Sequence, residues 1–169
     1  MIDIIFNSII FIFTCFSINN FNTFLLILSI DNFDKSKKLN QKNQKGFVEM
    51  VARLVAVGLI HNDLHYGNIG KLPGKDGQIV LFDYGLAQLI DPPTHILVYA
   101  QIVMAQLYSL IDSCNNNNVK TFNDYCGKNN PIVDTINGIR KNDEKTMAAL
   151  EKIRVEVQGS LISCRARRS

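Results

Sequence analysis

The run His61-Asn62-Asp63-Leu64-His65-Tyr66-Gly67-Asn68 constrains this 169-residue chain more than any other stretch. Polar residues recur through it at short intervals, and an apolar Gly58-Leu59-Ile60 leads into it. Fifteen positions after Asn68 stands Asp83, within Leu81-Phe82-Asp83-Tyr84-Gly85. Between the two runs lies Pro73-Gly74-Lys75-Asp76-Gly77, a turn signal flanked by Ile69–Leu72 and Gln78–Phe82. These flanks predict a small hairpin that presents Asn68 and Asp83 at one end. Upstream, Phe47, Met50, Val51, Leu54 and Val55 recur at three- and four-residue spacing. They predict a helix over Phe47–Val57, ended by Gly58 in a left-handed conformation.

The two runs read H-x-D-x-x-x-x-N followed by D-x-G. In this form and order they resemble the catalytic loop and the metal-binding loop of the protein-kinase-like fold. The fuller form, H-x-D-x-H-x-G-N, is most similar to aminoglycoside and choline kinases and to atypical and viral kinase-like proteins. Ordinary eukaryotic protein kinases usually carry lysine where His65 stands.

The resemblance implies roles. Asp63 would take or orient the proton of an acceptor hydroxyl. His65 would lie near the transferred phosphate as a cation or donor. Asn68 and Asp83 would offer hard oxygen ligands to Mg²⁺ beside ATP, an ion that keeps several waters and needs few protein ligands. Gly67 is expected to leave room for tight backbone, and Gly85 to permit the turn after Asp83. The competing reading of the same residues is a polar surface loop beside a buried strand.

Composition sets the wider frame. The length fits one domain of ordinary size, short for a two-lobed kinase, and 47% hydrophobic content makes it globular. A net charge of +3 spread over scattered lysines does not suit nucleic acid, which calls for a basic stripe. Cys15, Cys114, Cys126 and Cys164 form no C-x-x-C pair and have no metal-ligand spacing with the histidines. A reduced, cytoplasmic setting is expected.

Residues 4–30 carry no charge, so a membrane anchor has to be weighed. The run is broken by Ser17-Ile18-Asn19-Asn20-Phe21-Asn22, and its halves, Ile9–Phe16 and Phe24–Ile30, have strand length. A basic start suited to a secretory signal is lacking. The preferred reading is a β-hairpin turning near Asn19-Asn20, with the chain soluble and no membrane partner. In the kinase frame these would be the last strands of the small lobe. Asp31, Asn32 and Phe33 would then form the hinge whose backbone meets adenine. Residues 34–46 read as a polar linker, and 47–169 as a mostly helical C-terminal lobe, so the resemblance implies an α+β, kinase-like fold.

Beyond Gly85 neither a long activation segment nor an A-P-E motif appears. Thr94 is expected to cap a helix over Ile96–Ile111, apolar on nearly every side and so buried all round. Asn130-Pro131 and Asn142-Asp143-Glu144 should open two further helices. His95 is expected to be partly exposed and not a ligand.

One part of the kinase pattern has no counterpart here. The roughly thirty residues ahead of the expected hinge hold no lysine, arginine or glutamate, so no Gly-rich loop, strand lysine or helix glutamate is found. Three readings stay open: a fragment, a chain completed from elsewhere, or a protein that binds nucleotide poorly. The function expected from the resemblance is ATP-dependent phosphoryl transfer to a hydroxyl of a protein or a small molecule. The alternatives are a non-catalytic kinase-like binding module and an anchored protein whose loop match is accidental.

Overall fold

A computed structural model describes residues 2–6, 9–13, 41–71, 79–115 and 130–166. It has the expected α+β organisation: a hairpin, then a mostly helical body that carries two short antiparallel ladders.

The hairpin pairs β1 (Ile2–Phe6) with β2 (Ile9–Phe13), with Phe6 opposite Ile9. Only Asn7 and Ser8 separate the strands. The segment Ile9–Phe13, expected as part of a strand, is thus paired with Ile2–Phe6, and the turn expected near Asn19-Asn20 lies outside the described residues. The strand expected at Phe24–Ile30 falls outside the described residues. Among the described residues, no helix is long and apolar enough to cross a membrane.

The body is built on α1 (Gln41–Ala56) and α2 (Ile96–Asn115). Each packs against the other and against both α3 (Pro131–Arg140) and α4 (Glu144–Ala166). Phe47, Met50, Val51, Leu54 and Val55, the residues of the expected apolar stripe, are all buried in the core. Each large apolar side chain so buried contributes about 1.5–3 kcal/mol relative to exposure. The helix starts at Gln41, six residues ahead of Phe47, because the polar first turns continue the same spiral without adding to the stripe.

Caps set the remaining helices. The Asn130 side chain accepts from the Ile132 N–H at 2.8 Å, and Pro131 takes the first helical position, where it lacks no needed donor. Asp143 Oδ2 accepts from the Thr146 N–H at 2.9 Å and from its hydroxyl at 2.8 Å. Ahead of α2 the cap is His95, not Thr94: its Nδ1 accepts from the Leu97 N–H at 3.3 Å, and its ring is exposed.

Helix α2 is not buried all round. Tyr99, Val103, Gln106, Leu107 and Leu110 face the core, whereas Leu97 and Val98 are about half exposed, at 50% and 52%. An apolar helix reads as buried on every side, but three neighbouring helices cover only the side they touch. The α4 residue Gln158 ties the ends together. Its Nε2 donates to Ala56 O at 3.2 Å and to Pro93 O at 3.0 Å.

Candidate functional site

The site begins where α1 ends. Gly58 adopts φ +84°, which reverses the chain out of the helix and into β3 (Leu59–Ile60). That strand pairs with β6 (Gln88–Leu89), Leu59 opposite Leu89 and Ile60 opposite Gln88, and Ile90 N donates to Gly58 O at 2.8 Å. The segment after Asp83 thus returns beside the strand that delivers His61.

A second ladder joins the two runs from the other side. β4 (Ile69–Lys71) pairs with β5 (Ile79–Leu81), Ile69 opposite Leu81, as the turn signal between them predicts. Immediately outside that pair, Phe82 N donates to Asn68 O at 3.1 Å. The carbonyl of the same Phe82 lies 3.1 Å from His61 Nε2. Both polar groups of the Phe82 backbone are therefore held by the His61–Asn68 loop, and Asp83 follows directly.

Within that loop, buried anchors alternate with presented groups. His61, Leu64 and Asn68 are buried, whereas Asp63 and His65 are partly open. Asn68 Nδ2 donates to Asp63 O at 3.0 Å and to Asp63 Oδ2 at 3.1 Å. With its nitrogen so engaged, the carboxamide turns its oxygen away from Asp63. His65 Nδ1 accepts from the Gly67 N–H at 3.0 Å, so its ring proton sits on Nε2, which is 3.6 Å from Asp63 Oδ2. A Cβ on Gly67 would stand 2.7 Å from His65 Cε1 and 2.8 Å from Nδ1. The glycine is needed there to seat the His65 ring.

Asp83 is exposed and carries φ +60°. The left-handed residue of this turn is thus the aspartate itself and not Gly85. Aspartate tolerates that region because its short polar side chain bonds locally, and here Asp83 Oδ1 accepts a long hydrogen bond, 3.4 Å, from Gly85 N. Asn68 bonds Asp63 and, through its carbonyl, the residue ahead of Asp83, and both carboxylates lie near enough to act on the His61 ring. The expected hinge residues Asp31, Asn32 and Phe33 lie outside the described residues.

Sequence reading missed Gln106. From the core face of α2, its Oε1 accepts from the backbone N–H groups of His61 at 3.1 Å and Asn62 at 3.3 Å. Asn62 is left-handed, φ +61°, and its Nδ2 donates to Leu86 O at 3.2 Å. The signal available was a pair of amide side chains in the apolar part of a core helix, Gln101 and Gln106, of which Gln101 is exposed and Gln106 is buried, since buried amides require partners.

The electrostatics centre on His61. Because Phe82 O can only accept, Nε2 carries the ring proton, and Nδ1 is buried without a partner among the described residues. Burial pulls the His61 pKa below its ordinary value, against smaller upward pushes from the Phe82 carbonyl, Asp63 and Asp83. Both carboxylates therefore act on the same ring. Tyr84 packs on it with centroids 4.7 Å apart, and burial pushes the phenol pKa up to about 12.

A pH dependence follows. An unfolded histidine titrates near 6.5, and folded His61 titrates below that. The unfolded chain therefore binds more protons in the window beneath 6.5. The His61 contribution to stability is complete above 6.5 and is lost as pH falls through the folded value. Urea midpoints measured from pH 7.5 down to about 5 should fall less steeply for His61→Gln than for the wild type. Equal slopes would contradict the buried neutral ring.

Among the described residues, no three His, Cys, Asp or Glu side chains cluster as a self-sufficient metal centre. The Asn68 oxygen and the Asp83 carboxylate would instead supply a sparse, hard donor set. Such a set fits Mg²⁺ shared with phosphate oxygens and water.

Residues 26–117 match the family described as the ABC1 atypical kinase-like domain. The match spans more than half of the chain and takes in α1, both motif loops and α2. The chain belongs to this family. A comparison with curated proteins returned no match.

Proposed function

We propose that the chain is an ATP-dependent phosphotransferase that acts on a hydroxyl of a protein or a small molecule. The observation that supports this reading is the clasp at Phe82, by which the loop holding Asp63 and Asn68 grips the residue directly ahead of Asp83. The family match supports it independently.

In this reading Asp63 receives or orients the acceptor proton. Asn68 holds Asp63 through its nitrogen and keeps its oxygen for the cation. Asp83 supplies the charged ligand. His65 offers its Nε2–H beside Asp63, where it can meet a phosphate oxygen. Bound Mg²⁺ would offset the negative charge of the phosphates. The residues of the chain aim the nucleophile and hold the proton. The adenine contact is proposed for the backbone of Asp31, Asn32 and Phe33.

One observation favours a second reading, a kinase-like module that binds without transferring. No glycine occurs before Gly46 and no lysine before Lys35, so the first 34 residues hold no phosphate clamp of the usual kind.

Calorimetric titration with ATP, in Mg²⁺ and then in EDTA, combined with an ATP turnover assay, separates the two. Mg-dependent binding with turnover is expected for the transferase. Mg-dependent binding without turnover would favour the module. No binding in either buffer would overturn both.

A further inference from the structure

Gln106 lies 45 residues beyond His61 in the chain, on a different element, yet both of its contacts are to the loop that presents Asp63. One side-chain oxygen takes two successive peptide N–H groups, those of His61 and Asn62. Two consecutive N–H groups converge on one acceptor only where the backbone departs from an extended course, and Asn62 does so at φ +61°. A non-glycine residue in that region is uncommon and needs support from its surroundings. The support comes from both sides. Gln106 holds the backbone from the core, and the Asn62 side chain reaches Leu86 O on the outer side. The next residue is Asp63.

The position of the holder matters as much as the bonds. Gln106 is itself 8% exposed, and its neighbours Val103, Leu107 and Leu110 are fully buried. Helix α2 packs against the three other helices among the described residues, so the oxygen of Gln106 is fixed by the core. Other ties of the loop run from Asn68 back to Asp63, and between Phe82 and both His61 and Asn68.

We infer that Gln106 is a positioning residue for the proposed phosphotransfer, setting the His61–Asn62 turn and through it the direction of the Asp63 carboxylate. Gln106 touches neither substrate nor metal in this scheme. The inference rests on the phosphotransferase reading for its kinetic consequence, but its structural consequence can be read without turnover.

The test uses the full chain with two substitutions. Gln106→Met preserves length and packing and removes the acceptor. Gln106→Glu preserves the acceptor. The first readout is amide exchange by NMR. In Gln106→Met, the His61 and Asn62 amides should exchange at least about tenfold faster, while the core amides of α1 and α2 keep their protection. The second readout is the Asn68 side-chain amide, whose protons donate to Asp63. Its resonances should shift in Gln106→Met and return in Gln106→Glu.

The third readout is kinetic. A displacement of about 1 Å at a reacting group can cost about 10²-fold, so kcat should fall by about that much in Gln106→Met. Mg·ATP affinity should stay within about threefold, and Gln106→Glu should restore most of the rate. A merely structural role would lower affinity, rate and global protection together. That pattern overturns the inference, as does unchanged exchange at His61 and Asn62, or a moved turn with an unmoved Asn68 amide and full rate. A wild-type chain without turnover would sink the phosphotransferase reading alone. The amide readouts would still decide whether Gln106 sets the position of Asp63.

Discussion

Asp83→Asn is expected to abolish most Mg-dependent ATP binding, whereas Asp63→Asn should keep that binding and lose about 10²–10⁴-fold in transfer. The difference follows from what each side chain touches. Asp83 is exposed, and its only hydrogen bond among the described residues is the long one from Gly85 N. Its carboxylate is thus largely uncommitted to the fold, as a metal ligand's should be. Asparagine tolerates φ +60° as readily as aspartate, so the turn should survive the exchange and only the charge is lost.

Asp63 is held differently. Its Oδ2 and its backbone carbonyl both accept from Asn68 Nδ2. An asparagine at 63 can turn its amide oxygen to Asn68 and keep that bond. What disappears is the basic oxygen that an acceptor hydroxyl would meet. The predicted loss corresponds to about 3–5 kcal/mol of barrier. Mg·ATP affinity and turnover measured for both variants check the assignment. Equal loss of binding in the two would refute the division of roles, and no change in either would refute the site.

The parts of this site that sequence makes visible are those whose partners are close along the chain. Asp63, His65 and Asn68 lie within six residues, and their mutual bonds follow from that spacing. The hairpin between Asn68 and Asp83 is announced by its turn and closes in the register that places Phe82 against Asn68. The caps at Asn130 and Asp143 are equally local. What sequence hides is either distant or symmetrical. Gln106 is distant, and nothing near it points to His61. The exposed side of α2 is hidden by symmetry, because Leu97 and Val98 are as apolar as the residues that pack. The N-terminal pairing is hard to place for a related reason. Several apolar stretches compete there, and strand periodicity alone does not say which of them pair. Gly85 is the conspicuous residue of D-x-G, yet the unusual dihedral belongs to the aspartate that opens the motif.

The same glycine-to-alanine exchange should have opposite signs at two positions along α1 and its end. Gly58→Ala is expected to destabilise the chain by about 2–5 kcal/mol. Holding an alanine at φ +84° costs about 1–2 kcal/mol. In addition, the new methyl would run into the carbonyl oxygen of Ile90 and press on Pro92 N, both backbone atoms that cannot swing aside. Relief requires β6 to move away from β3, against the Ile90–Gly58 bond and the Leu59–Leu89 and Ile60–Gln88 pairs, and an overpacked site of this kind costs about 1–3 kcal/mol more. Against a total stability of about 5–15 kcal/mol, this is a large fraction. Gly46 lies inside α1, and a methyl added there would meet nothing within 4 Å. There alanine only lowers the entropy of the unfolded chain and improves helix propensity, so Gly46→Ala should stabilise by about 0.5–1 kcal/mol. Urea unfolding with unchanged slope reads both effects as midpoint shifts. Because Gly58 launches the strand that delivers His61, its alanine variant should also lose His61 and Asn62 amide protection, and the Gly46 variant should not. A Gly58→Ala chain as stable as the wild type would mean that the crossing of Gly58 and Ile90 is not the junction on which the two loops meet.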